Sequence, residues 1–140
     1  MPVFQTLTAS RNATWAPPLV FIYTGAQLPL TGGHIAMQLR LYGGAPGDAL
    51  LTLNPVPFTD TLASGTPGGP DEVRLLTLSP RVDPGDPADP AAGTWANMPP
   101  PPEAGDPLTL VFDIRITYAD GISEILSSGS FNLSPGVTLV

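Results

Sequence analysis

A chain of 140 residues and 14.5 kDa has room for one domain with its own hydrophobic core, and 42% apolar against 12% charged residues is not the composition of a disordered protein. Five arginines and no lysine stand against twelve acids, and the net charge of −7 excludes the basic footprint that nucleic acid or an anionic membrane requires. The absence of cysteine excludes disulfide frameworks and thiol nucleophiles, and nineteen prolines with fifteen glycines are too many breakers for a helical bundle, so an all-β fold is expected.

No apolar run reaches the roughly 20 residues needed to span a bilayer. The opening Met1-Pro2-Val3-Phe4-Gln5 lacks the charged and apolar regions of a classical export signal, so export by that route is not expected. Val3–Thr8 predicts a first strand or an arm docked on a neighbour. Leu19–Thr24 (LVFIYT) follows Pro17-Pro18, is rich in β-branched and aromatic residues, and reads as a buried strand. His34–Tyr42 alternates cleanly: Ile35, Met37, Leu39 and Leu41 share one face, while His34, Gln38 and Arg40 lie on the other. The Gly43-to-Asp48 stretch predicts a turn, with Ala49–Asn54 returning as a hairpin partner.

Glu72–Leu78 predicts another short strand. Leu108–Tyr118 is the longest, with Leu108, Leu110, Phe112, Ile114 and Ile116 on one face and Thr109, Val111, Asp113, Arg115 and Thr117 on the other. Asp120-Gly121 favours a tight hairpin, Ile122–Phe131 should pair back, and Val137–Val140 would add a last edge strand. Between these elements, residues 80–107 hold nine of the nineteen prolines and five of the twelve acids. Runs such as Pro99-Pro100-Pro101-Pro102 predict extended or polyproline geometry, and a connection of this length is commonly functional. Residues 1–16 are therefore an N-terminal arm or first strand, and residues 17–140 a single antiparallel β-sandwich of seven or eight strands with a Pro-rich loop over 80–107. The strand count and turn spacing suggest an immunoglobulin-like arrangement.

The chemistry of the chain is sparse. One histidine, His34, cannot build a multi-histidine metal site, no serine sits in a GxSxG elbow, and no glycine run has the strand–loop–helix setting that cradles phosphate. Asp83, Asp86 and Asp89 invite a calcium reading. In polyproline geometry, however, successive members start about 9 Å apart, too far to share one ion, and a solvated loop fits better. No catalytic, cofactor-binding or metal residue is assigned, and enzymatic activity is not expected. Four residues stand out as interaction or anchoring candidates. Trp95, inside the Pro-rich segment, pins that loop to the sandwich or, alternatively, stacks on sugar or a partner. Trp15 packs beneath Pro17-Pro18 or at a subunit contact. Arg40 and Asp113, on the less apolar faces of two long strands, pair with each other across the sheet or each with a neighbouring subunit.

Leu30-Thr31-Gly32 precedes a strand ending in Gln38-Leu39-Arg40. Phe112-Asp113-Ile114 is followed by Asp120-Gly121, and Gly129-Ser130-Phe131 by Pro135-Gly136-Val137-Thr138. In this order these segments resemble a small domain common in tailed bacteriophages, found at the N-terminus of upper-baseplate proteins and as short proteins encoded near tail-fibre genes. The chain departs from that family in its 80–107 segment, longer than the usual connection, and in Phe112, where tyrosine is usual. The resemblance implies an immunoglobulin-like module without catalytic residues or cofactors, acting as a baseplate, collar or fibre-attachment component of the phage tail. It implies a homo-oligomer contacting other virion proteins, made in the bacterial host cytoplasm and resident in the virion. In that setting the Met1–Trp15 arm and the Pro-rich loop would drape over neighbouring chains. A capsid-decoration protein and a carbohydrate-binding module using Trp95 or Tyr42 are the alternatives.

Overall fold

Period-two patterning governs what forms. The computed structural model describes residues 3–136 and places eight strands among them: β1 (Val3–Ser10), β2 (Leu19–Thr24), β3 (His34–Arg40), β4 (Leu51–Leu53), β5 (Phe58–Ser64), β6 (Val73–Leu78), β7 (Leu108–Thr117) and β8 (Ser123–Ser134). Helical structure among the described residues is confined to one 3-10 turn at Trp95–Asn97. The expected strand at Val137–Val140 lies outside the described residues.

The strands form two sheets, one ordered β1-β8-β7-β3-β4 and the other β2-β6-β5. Every pairing is antiparallel except that of β1 with β8, which runs parallel from Val3 opposite Ser127 to Ser10 opposite Ser134. One core joins the inward faces: Leu19, Phe21 and Tyr23 of β2 and Leu76 and Leu78 of β6 from the smaller sheet, against Ile35, Met37 and Leu39 of β3 and the Leu108-to-Ile116 series of β7. The fold is an all-β sandwich, as the composition and alternation predict. Burying these side chains supplies the main favourable term of folding.

Two local devices set the geometry of β8. The β7–β8 hairpin turns at Asp120-Gly121, where Gly121 has φ of +90° and the Asp120 carboxylate accepts from the Ile122 amide at 3.0 Å. A bulge where the register shifts between Ile114 and Arg115 keeps both Leu126 and Ser127 buried. The Ser127 hydroxyl accepts from Gln5 Nε2 at 2.9 Å and donates to the Val3 carbonyl at 2.8 Å, tying β1 to β8. Close contact of these strands also depends on Gly129, with φ of +151°, because a Cβ there would collide with the Gln5 carbonyl oxygen.

Two alternatives are decided at this level and one expectation changes. Of arm and first strand, the N-terminal segment forms the strand: β1 belongs to the larger sheet, and Trp15 is buried, bridged to Val82 by backbone hydrogen bonds of 2.9 Å in both directions. The 80–107 segment folds onto its own sandwich through buried Val82, Trp95 and Met98, the anchoring alternative for Trp95. Its Asp-Pro run bends into a turn at Asp86–Asp89, with the Ala88 amide donating to the Asp86 carboxylate at 2.9 Å. Finally, Leu19–Thr24 is buried on one face only. Val20 and Ile22 are 52% and 66% exposed, because among the described residues nothing packs over the outer face of β2.

Candidate interaction surfaces

The aromatic anchor determines which candidates remain accessible. Trp95 is fully buried, and its ring lies 5.6 Å from that of Phe131 on β8 and 6.4 Å from that of Trp15, with Trp15 and Phe131 5.1 Å apart. The Trp15 contacts are edge-on, the geometry that aromatic quadrupoles favour. The Arg11 guanidinium completes the attachment by donating to the carbonyls of Met98 and Pro99. Trp95 therefore cannot offer its face to a sugar, and Tyr42, 58% exposed in the β3–β4 turn, is the accessible member of the two proposed platforms.

Arg40 and Asp113 lie on the same outer face of the larger sheet but do not form an ion pair. The β3–β7 register sets Gln38 opposite Asp113 and Arg40 opposite Val111. Arg40 instead donates to the Ala45 and Gly47 carbonyls at 2.9 and 2.7 Å, fastening the β3–β4 turn. The expected cross-sheet pair is thus corrected: nearby turn carbonyls capture the guanidinium before it can reach one strand over.

Both residues line a groove of about 530 Å³ on that face. Phe4, 79% exposed, forms one wall, the Gly43-Gly44 turn forms the opposite one, and the floor is Gln38, Val111, Asp113, Ser128 and Ser130. Its lining combines hydroxyls and one amide with the Asp113 carboxylate, the Arg40 guanidinium, apolar Val111 and an aromatic rim. His34 stands exposed at the head of β3, opposite Thr117. Among the described residues, no three of His, Asp and Glu gather closely enough to hold a metal ion.

A charged cluster that sequence reading missed lies at one end of the smaller sheet. Arg74 on β6 pairs with Asp60 on β5 at 2.9 Å and with Glu72 at 2.8 Å, all three side chains at most 9% exposed, and the Tyr23 hydroxyl donates to Asp60. The Gly68 amide and then Arg74 hold the Glu72 carboxyl below its ordinary value. Burial first, and then its bond to Asp60, pushes the Tyr23 phenol up. A charge at an inward position of an alternating strand was the available signal: Arg74 falls in phase with Leu76 and Leu78.

The outer face of the smaller sheet has the opposite character. Val20, Ile22 and Thr24 of β2, Val73, Leu75 and Thr77 of β6, and Thr59 and Thr61 of β5 point outward in register, and none is charged. Among the edges, β4 has only three residues and β5 is broken by a register shift between Leu62 and Ser64, two devices that blunt strand pairing. The eight-residue β1 and the six-residue β2 have neither.

No protein-family model matches the chain, and no curated protein matches it.

Proposed function

We propose that this chain is a structural protein of a tailed-bacteriophage virion, an immunoglobulin-like tail component (baseplate, collar or fibre-attachment adaptor) that acts by assembling in several copies with other virion proteins. The strand order supports the immunoglobulin-like part. With β2, β6 and β5 taken as strands B, E and D, and β8, β7, β3 and β4 as G, F, C and C′, the two sheets follow the variable-type arrangement. The observation that carries the assembly part is the pair of long strands, β1 and β2, whose outer edges lie open beside neutral, partly apolar side chains. Such edges accept a further strand through main-chain hydrogen bonds, with side chains at alternate positions selecting the partner. Because the 3–15 and 80–107 segments lie on their own sandwich, the contacts are made by sheet edges and faces rather than by draped arms. Multiple moderate contacts in a ring then multiply effective affinity.

Immunogold electron microscopy of phage particles, with antibody raised against the purified chain, tests this. Gold at the tail or baseplate is the expected result. Gold on heads would reassign the chain to capsid decoration, and unlabelled particles would overturn the virion reading.

The groove beneath Phe4 favours one second reading, a saccharide-binding module. A sugar offers an apolar C–H face to the Phe4 ring and hydroxyls to Gln38, Asp113 and Ser128. Glycan-array binding lost in Phe4→Ala would select that reading.

A further inference from the structure

The backbone of β2 shows which of its groups are committed. The Gly25 amide donates to the Glu72 carbonyl at 2.9 Å, and the β2–β6 register runs without a break from Thr24 opposite Val73 to Leu19 opposite Leu78. In an antiparallel ladder, hydrogen-bonded and non-hydrogen-bonded pairs alternate. Leu19, Phe21 and Tyr23, in phase with Gly25, therefore turn their amides and carbonyls toward β6. Val20, Ile22 and Thr24 turn theirs away, and among the described residues these groups meet no backbone partner.

We propose that β2 is the seam through which two copies of this chain pair, antiparallel, about a two-fold axis passing between the two Ile22 residues. Val20 then lies opposite the partner's Thr24, and Thr24 opposite the partner's Val20. All of these are positions whose backbone groups face outward, so the pairing satisfies about six main-chain groups on each copy and joins the two three-stranded sheets into one.

The register makes the β2 edge complementary to itself, which fits a second copy as the occupant, and charge admits one. Each molecule carries −7, so two copies repel wherever acids face each other, yet the outer face beside β2 has no charged side chain. This is a face on which two like-charged bodies can meet without burying like charge. The other long edge, β1, satisfies the backbone condition equally well and carries one exposed aromatic, Phe4, on its outward face, but the outward positions beyond it are Thr6 and Thr8, beside Ser128, Ser130 and Asn132 of β8, so no aliphatic stripe flanks that edge. Beside β2, by contrast, Val20 and Ile22 lie next to Leu75, so pairing there also covers exposed apolar surface. A six-residue edge covers less than the roughly 800 Å² per partner of a standard interface, so the pair is concentration-dependent.

The inference rests on the assembly reading above and names one of its contacts. Its test is sedimentation velocity of the full chain up to about 1 mM, the dissociation constant of weak specific complexes, together with oxidation of single-cysteine variants. The natural chain has no cysteine, so an introduced one reports alone. Hydrogen-bonded antiparallel partners have Cα atoms about 5.5 Å apart, inside the window that a disulfide bridges. Expected are a reversible dimer in the natural chain, at least a tenfold weaker one in Ile22→Glu, no change in Thr6→Glu on β1, and rapid disulfide dimers from Ile22→Cys but not Thr6→Cys. An oligomer lost in Thr6→Glu and kept in Ile22→Glu would overturn the seam and leave the assembly reading intact. A monomer at every concentration, with no Ile22→Cys cross-link, would overturn the seam as well. The assembly reading fails separately, through unlabelled virions.

Discussion

Trp95 is the residue on which the long connection depends. Its ring fills the space between Trp15 and Phe131 with no exposed surface, so truncation leaves a cavity that close-packed neighbours cannot refill. Trp95→Ala should cost about 3–5 kcal/mol in urea-unfolding free energy. Trp95→Phe should cost distinctly less, since the indole N–H finds no acceptor among the described residues and its removal relieves a buried unpaired donor. Glu72 is a second sensitive point, through protonation. Its folded pKa is depressed by the Gly68 amide and Arg74, so the stability it contributes is fully present above its ordinary value of 4.5 and is lost as pH falls through the lower folded value. Melting temperature in the natural chain should hold steady above that value and fall below it. Glu72→Gln should melt lower at neutral pH but show a shallower acid limb. At the alkaline end, burial and then the hydrogen bond to Glu124 push the Tyr118 phenol up to about 12, and Tyr23 is raised as well. Ultraviolet titration should show both ionising late, with stability declining from the ordinary value of 10.0 up through that range.

At the scale of the element, what could be read from sequence depended on how many faces of a strand are buried and on where its polar groups find partners. β3 and β7 carry long apolar alternation, and their inward faces were legible residue by residue as far as Leu39 on β3; Leu41, read onto the same face, lies past the end of that strand and is 48% exposed. β2 was legible as a strand but not as an edge, because Val20 and Ile22, alternating with Leu19, Phe21 and Tyr23, look like a segment buried on both sides. β5 was missed. Its inward positions Phe58, Asp60 and Leu62 include a carboxylate, and only Arg74 on a neighbouring strand, not anything local, explains why Asp60 is there. β1 was legible as strand or arm, and the choice lies in Gly129, whose missing side chain lets the Gln5 backbone approach β8. Gly129→Ala should cost about 1–3 kcal/mol and act locally: amide exchange should accelerate along β1 while β7 amides opposite β3 keep their protection. The groove residues were legible one at a time, but their arrangement was not. Arg40 and Asp113 were correctly placed on one sheet face, yet the Ala45 and Gly47 carbonyls that claim Arg40 lie in a turn whose path no pattern specifies. A double-mutant cycle of Arg40→Ala and Asp113→Ala should accordingly give a coupling energy below about 0.5 kcal/mol, the level of independent sites.

The whole molecule distributes its charge unevenly, and the distribution carries a consequence for assembly. Acids crowd the loops and the outer face of the larger sheet holds Arg40, Asp113 and Arg115, whereas the outer face of the smaller sheet holds none. An interface stitched by ion pairs weakens as salt screens it. A seam made of main-chain hydrogen bonds and aliphatic side chains has no charge pair to lose, while the two bodies it joins each carry −7 and repel at long range. Raising ionic strength from about 0.01 M to 0.15 M shortens the Debye length from about 30 Å to 8 Å. That change removes most of the repulsion between bodies of this size and leaves the contact itself untouched. Self-association should therefore strengthen with added salt, and sedimentation equilibrium of the natural chain at those two ionic strengths measures the direction. A dimer that tightens fits a neutral seam on the smaller sheet. A dimer that loosens places opposite charges in the interface and points to the larger sheet, where Asp113 of one copy could face Arg115 of another.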